Sequence, residues 1–245
     1  MKGNKVLFSL LLCTALAIQG MYGMGAVGSR VQAAGSGKIK IAIDAGHQRR
    51  SNGKLERIGP GSSRKKAKVA GGAVGVASRV PEYQLNLKVA KKLRKVLLQR
   101  GYEVYMVRSS NNVNISNKER AIRANKSGAD ICIRLHADAS GSSRVKGASV
   151  LYPSKSNPYV KKLSPASKKL SSYIAKAYAK KTGIRNRGII KRDDLTGTNW
   201  SKIPVALVEM GFLSNPSEDR KMQKSSMQTK MAIGIANGVD RYFSR

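Results

Sequence analysis

Sulfur, imidazole and indole are scarce in this sequence: its 245 residues include two Cys, two His and one Trp, and aromatic residues make up 5%. Cys13 lies in an N-terminal apolar run and Cys132 alone in a later one, so no disulfide framework is expected and Cys132 reads as a small buried hydrophobe. Acids are few, 13 Asp and Glu against 47 Lys and Arg, for a formal charge of +34. Beyond the N-terminus no run approaches the roughly 20 apolar residues that span a bilayer. Zinc-finger spacing, an RNP-like run and a glycine-rich phosphate loop are missing. With so few aromatics, this argues against nucleic acid as the primary partner despite a pI near 10.6. Nothing recurs at a fixed period, which excludes a solenoid or a tandem binding array.

What is present begins with the marks of an export signal. Lys2 and Lys5 precede an apolar run from Val6 to Ile18, and Val31, Gln32 and Ala33 offer a cleavage site. Residues 1–33 therefore read as a signal peptide and 34–245 as one globular domain; an uncleaved anchor is the alternative. Cleavage takes the three charges of Lys2, Lys5 and Arg30 from +34 and leaves +31. A surface so one-sided either seeks a polyanion or maintains solubility.

The body alternates strand-like and helical patterns, which predicts an α/β fold: a mostly parallel central sheet flanked by helices. Strand-like runs cover 39–43, 103–107, 130–135, 148–152 and 203–208. From Pro81, the segment PEYQLNLKVAKKLRKVLLQRG sets Leu85, Val89, Leu93 and Leu97 on one helical face and stops at Gly101. Ser116 and Glu119 form a capping box that opens a helix toward Asn125. Leu170, Ile174 and Tyr178 mark a third helix, and Met231, Ile235, Val239 and Tyr242 a closing one. Residues 48–80, rich in Gly, Ser, Lys and Arg, show neither period and read as a long basic loop insertion of functional or mobile character.

The two histidines each fall at or just past the end of a strand-like run, His47 after IKIAIDAG and His136 at the end of ADICIRLH. The carboxyl ends of strands are where open α/β sheets bind ligands. One His alone is more often structural, but two so placed suggest a metal, and a catalytic zinc takes three protein ligands with a position left open. With Cys132 inside a strand, the third ligand is expected to be a carboxylate. Glu82 opens a helix, where it would also complement the helix dipole. Glu209, between IPVALV and MGF, sits in an apolar setting that calls either for an ion pair or for a general base of raised pKa.

Five motifs make the chain resemble a known family: DAGH at Asp44 to His47, PEYQLNL at Pro81 to Leu87, SNKERAIRAN at Ser116 to Asn125, ADICIRLHAD at Ala129 to Asp138, and VALVEMGFLSNPSE at Val205 to Glu218. In this order they are similar to the zinc-dependent N-acetylmuramoyl-L-alanine amidases of bacterial cell walls. The resemblance covers essentially the whole mature chain. It implies Zn2+ held by His47, Glu82 and His136, with Glu209 as the catalytic carboxylate and peptidoglycan as substrate. In that reading Asp44 is a strand-end or supporting residue, and Arg120 supports the site or pairs internally rather than touching metal. For an exported protein of this kind, the polyanion sought by the basic surface would be the anionic polymers of the wall. An activator protein is left open.

The chain departs from the family's pattern in two places. Gln48 stands where the family commonly has glycine, and the basic loop lengthens the path from His47 to Glu82. Asp138 stands where asparagine is common two residues after the second histidine, an extra acid able to tune the site, bind a substrate ammonium or merely face solvent. Asp193 and Asp194 adjoin DLTGTNWS, whose Trp200 suggests a rim loop that contacts substrate, or else a plain turn. The competing functions are a non-catalytic basic wall-binding protein and a zinc peptidase acting on stem peptides.

Overall fold

Short apolar runs with alternating faces can be buried together only as a sheet covered on both sides, and helices with one apolar stripe supply the cover. The computed structural model describes residues 37–245. The signal read over residues 1–33, and Cys13 with it, lie outside the described residues.

Eight strands form: β1 (Lys40–Ala45), β2 (Asn52–Arg57), β3 (Lys65–Val69), β4 (Glu103–Met106), β5 (Ile131–Asp138), β6 (Ala148–Tyr152), β7 (Asn186–Lys191) and β8 (Val205–Phe212). The helices are α1 (Glu82–Gln99), α2 (Asn117–Lys126), α3 (Ser164–Thr182), the single turn α4 (Thr196–Asn199), α5 (Pro216–Gln223) and α6 (Ser225–Tyr242). Six strands make the central sheet in the order β4-β1-β5-β8-β6-β7. β4, β1, β5 and β8 run parallel; β6 is antiparallel to β8 and β7 parallel to β6. This is the mostly parallel α/β sheet that the alternating patterns predict.

Period two divides each central strand between two layers. Ile41, Ile43, Ile131, Ile133, Leu135, Ala206 and Val208 point into the larger core, which is completed by α1, α3 and α6 through Leu85, Leu93, Leu170, Ile174, Met231 and Ile235. Ala42, Cys132 and Val205 point the other way, into a smaller cluster with Ala124 of α2. The next residues on that second face are Asp44, Arg134, His136 and Glu209, so a polar group continues the apolar one toward the strands' carboxyl ends. Cys132 is buried and free. No helix among the described residues is long and apolar enough to cross a membrane.

The structure corrects one reading. Residues 48–80 are not a featureless loop: β2 and β3 pair antiparallel as a hairpin separate from the main sheet. Its strands carry almost no apolar alternation, and Leu55 is 63% exposed. The hairpin is held from outside instead. Lys66 Nζ donates to Asp194 Oδ2 at 2.8 Å, the Trp200 indole N–H to the Arg57 carbonyl at 3.0 Å, the Asn117 amide to the Lys68 carbonyl at 2.9 Å, and the Lys118 backbone N–H to Glu56 Oε1 at 3.0 Å. β7 and α5 also escape the periodic patterns. β7 is an edge strand with mostly exposed residues, and α5 is an eight-residue helix whose start is capped by Asn215.

Candidate metal centre

Three elements meet at the end of the sheet. β1 delivers His47 two residues past its end, β5 carries His136 near its own end, and α1 brings Glu82 as its first residue. His47 is held at φ 58°, a left-handed backbone that costs a non-glycine residue on the order of 1–3 kcal/mol and gathers at functional sites. Its Nε2 lies 3.2 Å from Glu82 Oε2, and His136 Nδ1 lies 3.1 Å from Glu82 Oε1. One donor atom from each of the three side chains falls within 4.8 Å of the others. Before His47, Gly46 leaves room for the His136 ring, which an added Cβ would overlap.

Surrounding groups fix the orientation of this triangle. The Ala70 carbonyl lies 2.8 Å from His47 Nδ1, which assigns a proton to Nδ1 and turns Nε2 toward Glu82. Glu82 Oε2 accepts from the Ala73 N–H at 3.0 Å; its Oε1 accepts from the Ala137 N–H at 3.0 Å and from the Asn86 amide at 3.1 Å. Residues 70–73 belong to the basic segment, so that segment builds the site as well as bordering it. Below the triangle, Asp44 is gripped by two buried guanidiniums, Arg120 Nη1 at 2.8 Å and Arg134 Nε at 2.9 Å. Arg120 also donates to the carbonyls of Ala45 and His47, and Arg108 to those of Ala45 and Gly46, which braces the β1–His47 turn.

Electrostatics follow from burial and charge. Burial alone would raise the Glu82 carboxyl, but hydrogen bonds to His136 and His47 outweigh it and hold Glu82 well below the usual carboxylate range. Burial pushes His136 down to about 4, only partly opposed by Glu82, so its ring is neutral near pH 7 and offers a lone pair. For His47, burial is outweighed by Glu82 and the pKa rises. Asp44 is desolvated too, yet Arg120 and Arg134 hold it far below its ordinary value.

Glu209 is the direct cross-strand partner of His136, so both side chains emerge on one face. Its Oε2 is buried and accepts no hydrogen bond. Burial, then the charges of Glu82 and Asp138, push this carboxyl well above its normal range. His47, His136 and Glu209 line one cavity of about 420 Å³. Lys66 and Ala67 of the hairpin, and Asp194, Leu195, Thr196 and Gly197, form other parts of its wall. Asp138 lies two residues beyond His136 and is partly exposed. Trp200 does not line the cavity: its indole is spent on Arg57, and Lys118 Nζ sits 4.2 Å above its ring. Of the DLTGTNWS segment, residues 194–197 line the cavity.

Four contributors are not singled out by the sequence patterns, and only two of them leave a signal in the sequence. Asn86 lies one turn after Glu82 on the apolar face of α1 and is fully buried, an anomaly in a stripe of leucines that would have found it. Arg134 interrupts ICIRLH in the same way. The backbone groups of Ala70 and Ala73 leave no trace in side-chain identity.

Donor chemistry and geometry fit zinc. Two imidazoles and one carboxylate converge, and His136 Nε2 is buried without a hydrogen-bond partner. A sequence profile of the N-acetylmuramoyl-L-alanine amidases matches residues 41–241. N-acetylmuramoyl-L-alanine amidase LytC of Bacillus subtilis (strain 168) is 30% identical over 70% of this chain, which spans only 33% of that protein's length. The germination-specific N-acetylmuramoyl-L-alanine amidase of the same organism is also 30% identical, over 71% of this chain and 75% of its own. Among solved structures, the N-acetylmuramoyl-L-alanine amidase from Clostridium difficile 630 superposes with a TM-score of 0.68 at 29% identity, covering 84% of this chain and 97% of that one. With the match running from β1 to the end of α6, the chain belongs to the N-acetylmuramoyl-L-alanine amidase family.

Proposed function

We propose that this chain is a zinc-dependent hydrolase that cuts the amide between the lactyl group of N-acetylmuramic acid and L-alanine in peptidoglycan. The observation that carries the reading is the His47, Glu82 and His136 triangle beside an unpartnered acid, Glu209, on the neighbouring strand. His47, Glu82 and His136 would hold the ion; with three protein ligands the coordination is left open, as a catalytic zinc requires. When bound, zinc supplies Lewis-acid chemistry, polarising the scissile carbonyl and acidifying nearby water.

The chain's own residues do the rest. Glu209 takes the proton of the attacking water and hands it to the leaving amine of L-alanine as the C–N bond breaks, with no covalent intermediate. Burial beside two other carboxylates raises its hold on a proton, which suits a group that must keep one between the two transfers. Ala70, Ala73, Asn86 and Ala137 keep the ligands aimed. Asp44, with Arg120 and Arg134, is a positioning residue beneath them. The proposal includes export to the cell wall, with the mature chain starting near Ala34.

The test is a digest of purified peptidoglycan with and without a zinc chelator, scoring new alanine amino termini separately from reducing sugars. Alanine amines that vanish with chelator and return with zinc are expected. New amines from other residues would make the protein a stem-peptide peptidase, and reducing sugars without amines a glycosidase.

A further inference from the structure

The molecule's positive charge is not spread evenly. α1, α6 and α3 pack side by side over one face of the sheet. α1 carries five Lys and Arg, α3 five and α6 two; their acids are Glu82, committed to the metal triangle, and Asp240, held by Arg100 and Tyr102. None of the twelve cations is ion-paired with an acid of the described residues. Lys88, Lys91 and Lys95 are exposed along α1, and Lys168, Lys176 and Lys180 along α3. Between these rows other cations lie against α6. Lys92 reaches Ser225 and Thr229 from one side, and Lys169 stands 5.8 Å above the Tyr242 ring on the other. The three helices thus present one continuous cationic face, about 27 Å long by helix rise.

We propose that this helical face is a docking surface for a linear phosphodiester polyanion of the cell wall, which anchors the enzyme while the cavity at the sheet's carboxyl end stays free for murein. The proposal depends on the amidase reading only for where such a polymer is met. Charge complementarity selects the class of partner: lysine ammonium groups repeated turn by turn suit a flexible chain of phosphates met as point charges. No aromatic residue of these helices is exposed, so there is no platform for stacking bases. Leu98 is their one exposed large apolar side chain, too little to insert into a lipid surface.

The test uses sacculi carrying phosphodiester-linked wall polymer and the same sacculi stripped of it by hydrofluoric acid. Three zinc-loaded proteins are compared: wild type, a helical-face variant with Lys88, Lys91, Lys95, Lys168, Lys176 and Lys180 changed to Gln, and a charge-matched control with Lys54, Lys126, Arg144, Lys146, Lys155 and Lys202 changed to Gln. All twelve positions are exposed. Wild type and control should bind polymer-bearing sacculi alike. The helical-face variant should bind at least about tenfold more weakly, with a shallower salt dependence, since each lost phosphate contact removes roughly 0.7 from the log–log slope. All three should release alanine amines equally from a short soluble muropeptide.

Equal losses in the two variants would mean that net charge alone binds, and would overturn the proposal. Equal binding of wild type to stripped sacculi would overturn it too, as would equally tight binding of duplex DNA or anionic vesicles through the same six lysines. Polymer binding without any muropeptide cleavage would refute the amidase reading and leave the surface standing.

Discussion

Glu209 bears two burdens that can be separated at the bench. As the proton carrier it should be indispensable, so Glu209→Gln should keep its zinc and lose activity by about 10²–10⁴-fold, whereas His136→Ala should lose both metal and activity. As a buried acid beside Glu82 and Asp138 it should also cost stability. An unfolded Glu209 ionises near 4.5, while the folded one keeps its proton to higher pH. As pH rises from 4.5 to the folded pKa, ionisation stabilises the unfolded state more than the folded one, and the wild type loses stability across that window. Zinc-depleted Glu209→Gln should accordingly melt higher than wild type at pH 7 and match it at pH 4. A lower melting point at pH 7 would show that the carboxylate is well solvated or paired. Asp44 makes the opposite case. It is the only acid gripping Arg120 and Arg134 in the described structure, and Asp44→Asn should cost about 3–5 kcal/mol in a denaturant titration by leaving both guanidiniums buried without a counterion.

Among the elements, the hairpin segment shows where sequence patterns stop being informative. The five apolar strand runs, the α1 stripe and the Ser116–Glu119 capping box can all be read directly because burial imposes a period and capping a spacing. β2 and β3 bury almost nothing and are held by Asp194, Trp200, Asn117 and Lys118, residues far off in the chain. The site divides similarly. His47, His136 and Glu209 stand out as rare or misplaced residue types, while Ala70 and Ala73 act through backbone atoms that every residue has. Two glycines of this segment test that backbone role. Gly61 and Gly72 both have left-handed φ, 74° and 78°, so alanine at either costs about 1 kcal/mol of conformational strain. A Cβ at Gly61 meets nothing within 4 Å; at Gly72 it would stand 2.8 Å from Glu82 Oε2 and 3.0 Å from the His47 ring. Gly72→Ala should therefore weaken zinc affinity markedly while Gly61→Ala leaves it unchanged, as measured by competition with a chromophoric chelator. Equal affinities would mean that residues 70–73 do not set the ligand geometry.

At the scale of the whole molecule, a charge of +34 sets folding and docking in opposition through the same variable. Composition reveals the excess but not its placement, since only the packing of α1, α6 and α3 brings the cations of three separate helices together. Like charges crowded on a folded surface repel one another more than they do along an extended chain, which destabilises the compact state. Salt relieves this: the screening length falls from about 30 Å at 0.01 M to about 10 Å at 0.1 M, less than the length of the helical face. The melting temperature should therefore rise between 10 and 300 mM sodium chloride, while retention on polymer-bearing sacculi falls over the same range. The helical-face variant should show a weaker salt dependence in both measurements because six of the repelling charges are gone. A melting temperature that is flat or falls with salt would show that the cations are already neutralised within the fold, and such cations would have nothing to offer a polyanion.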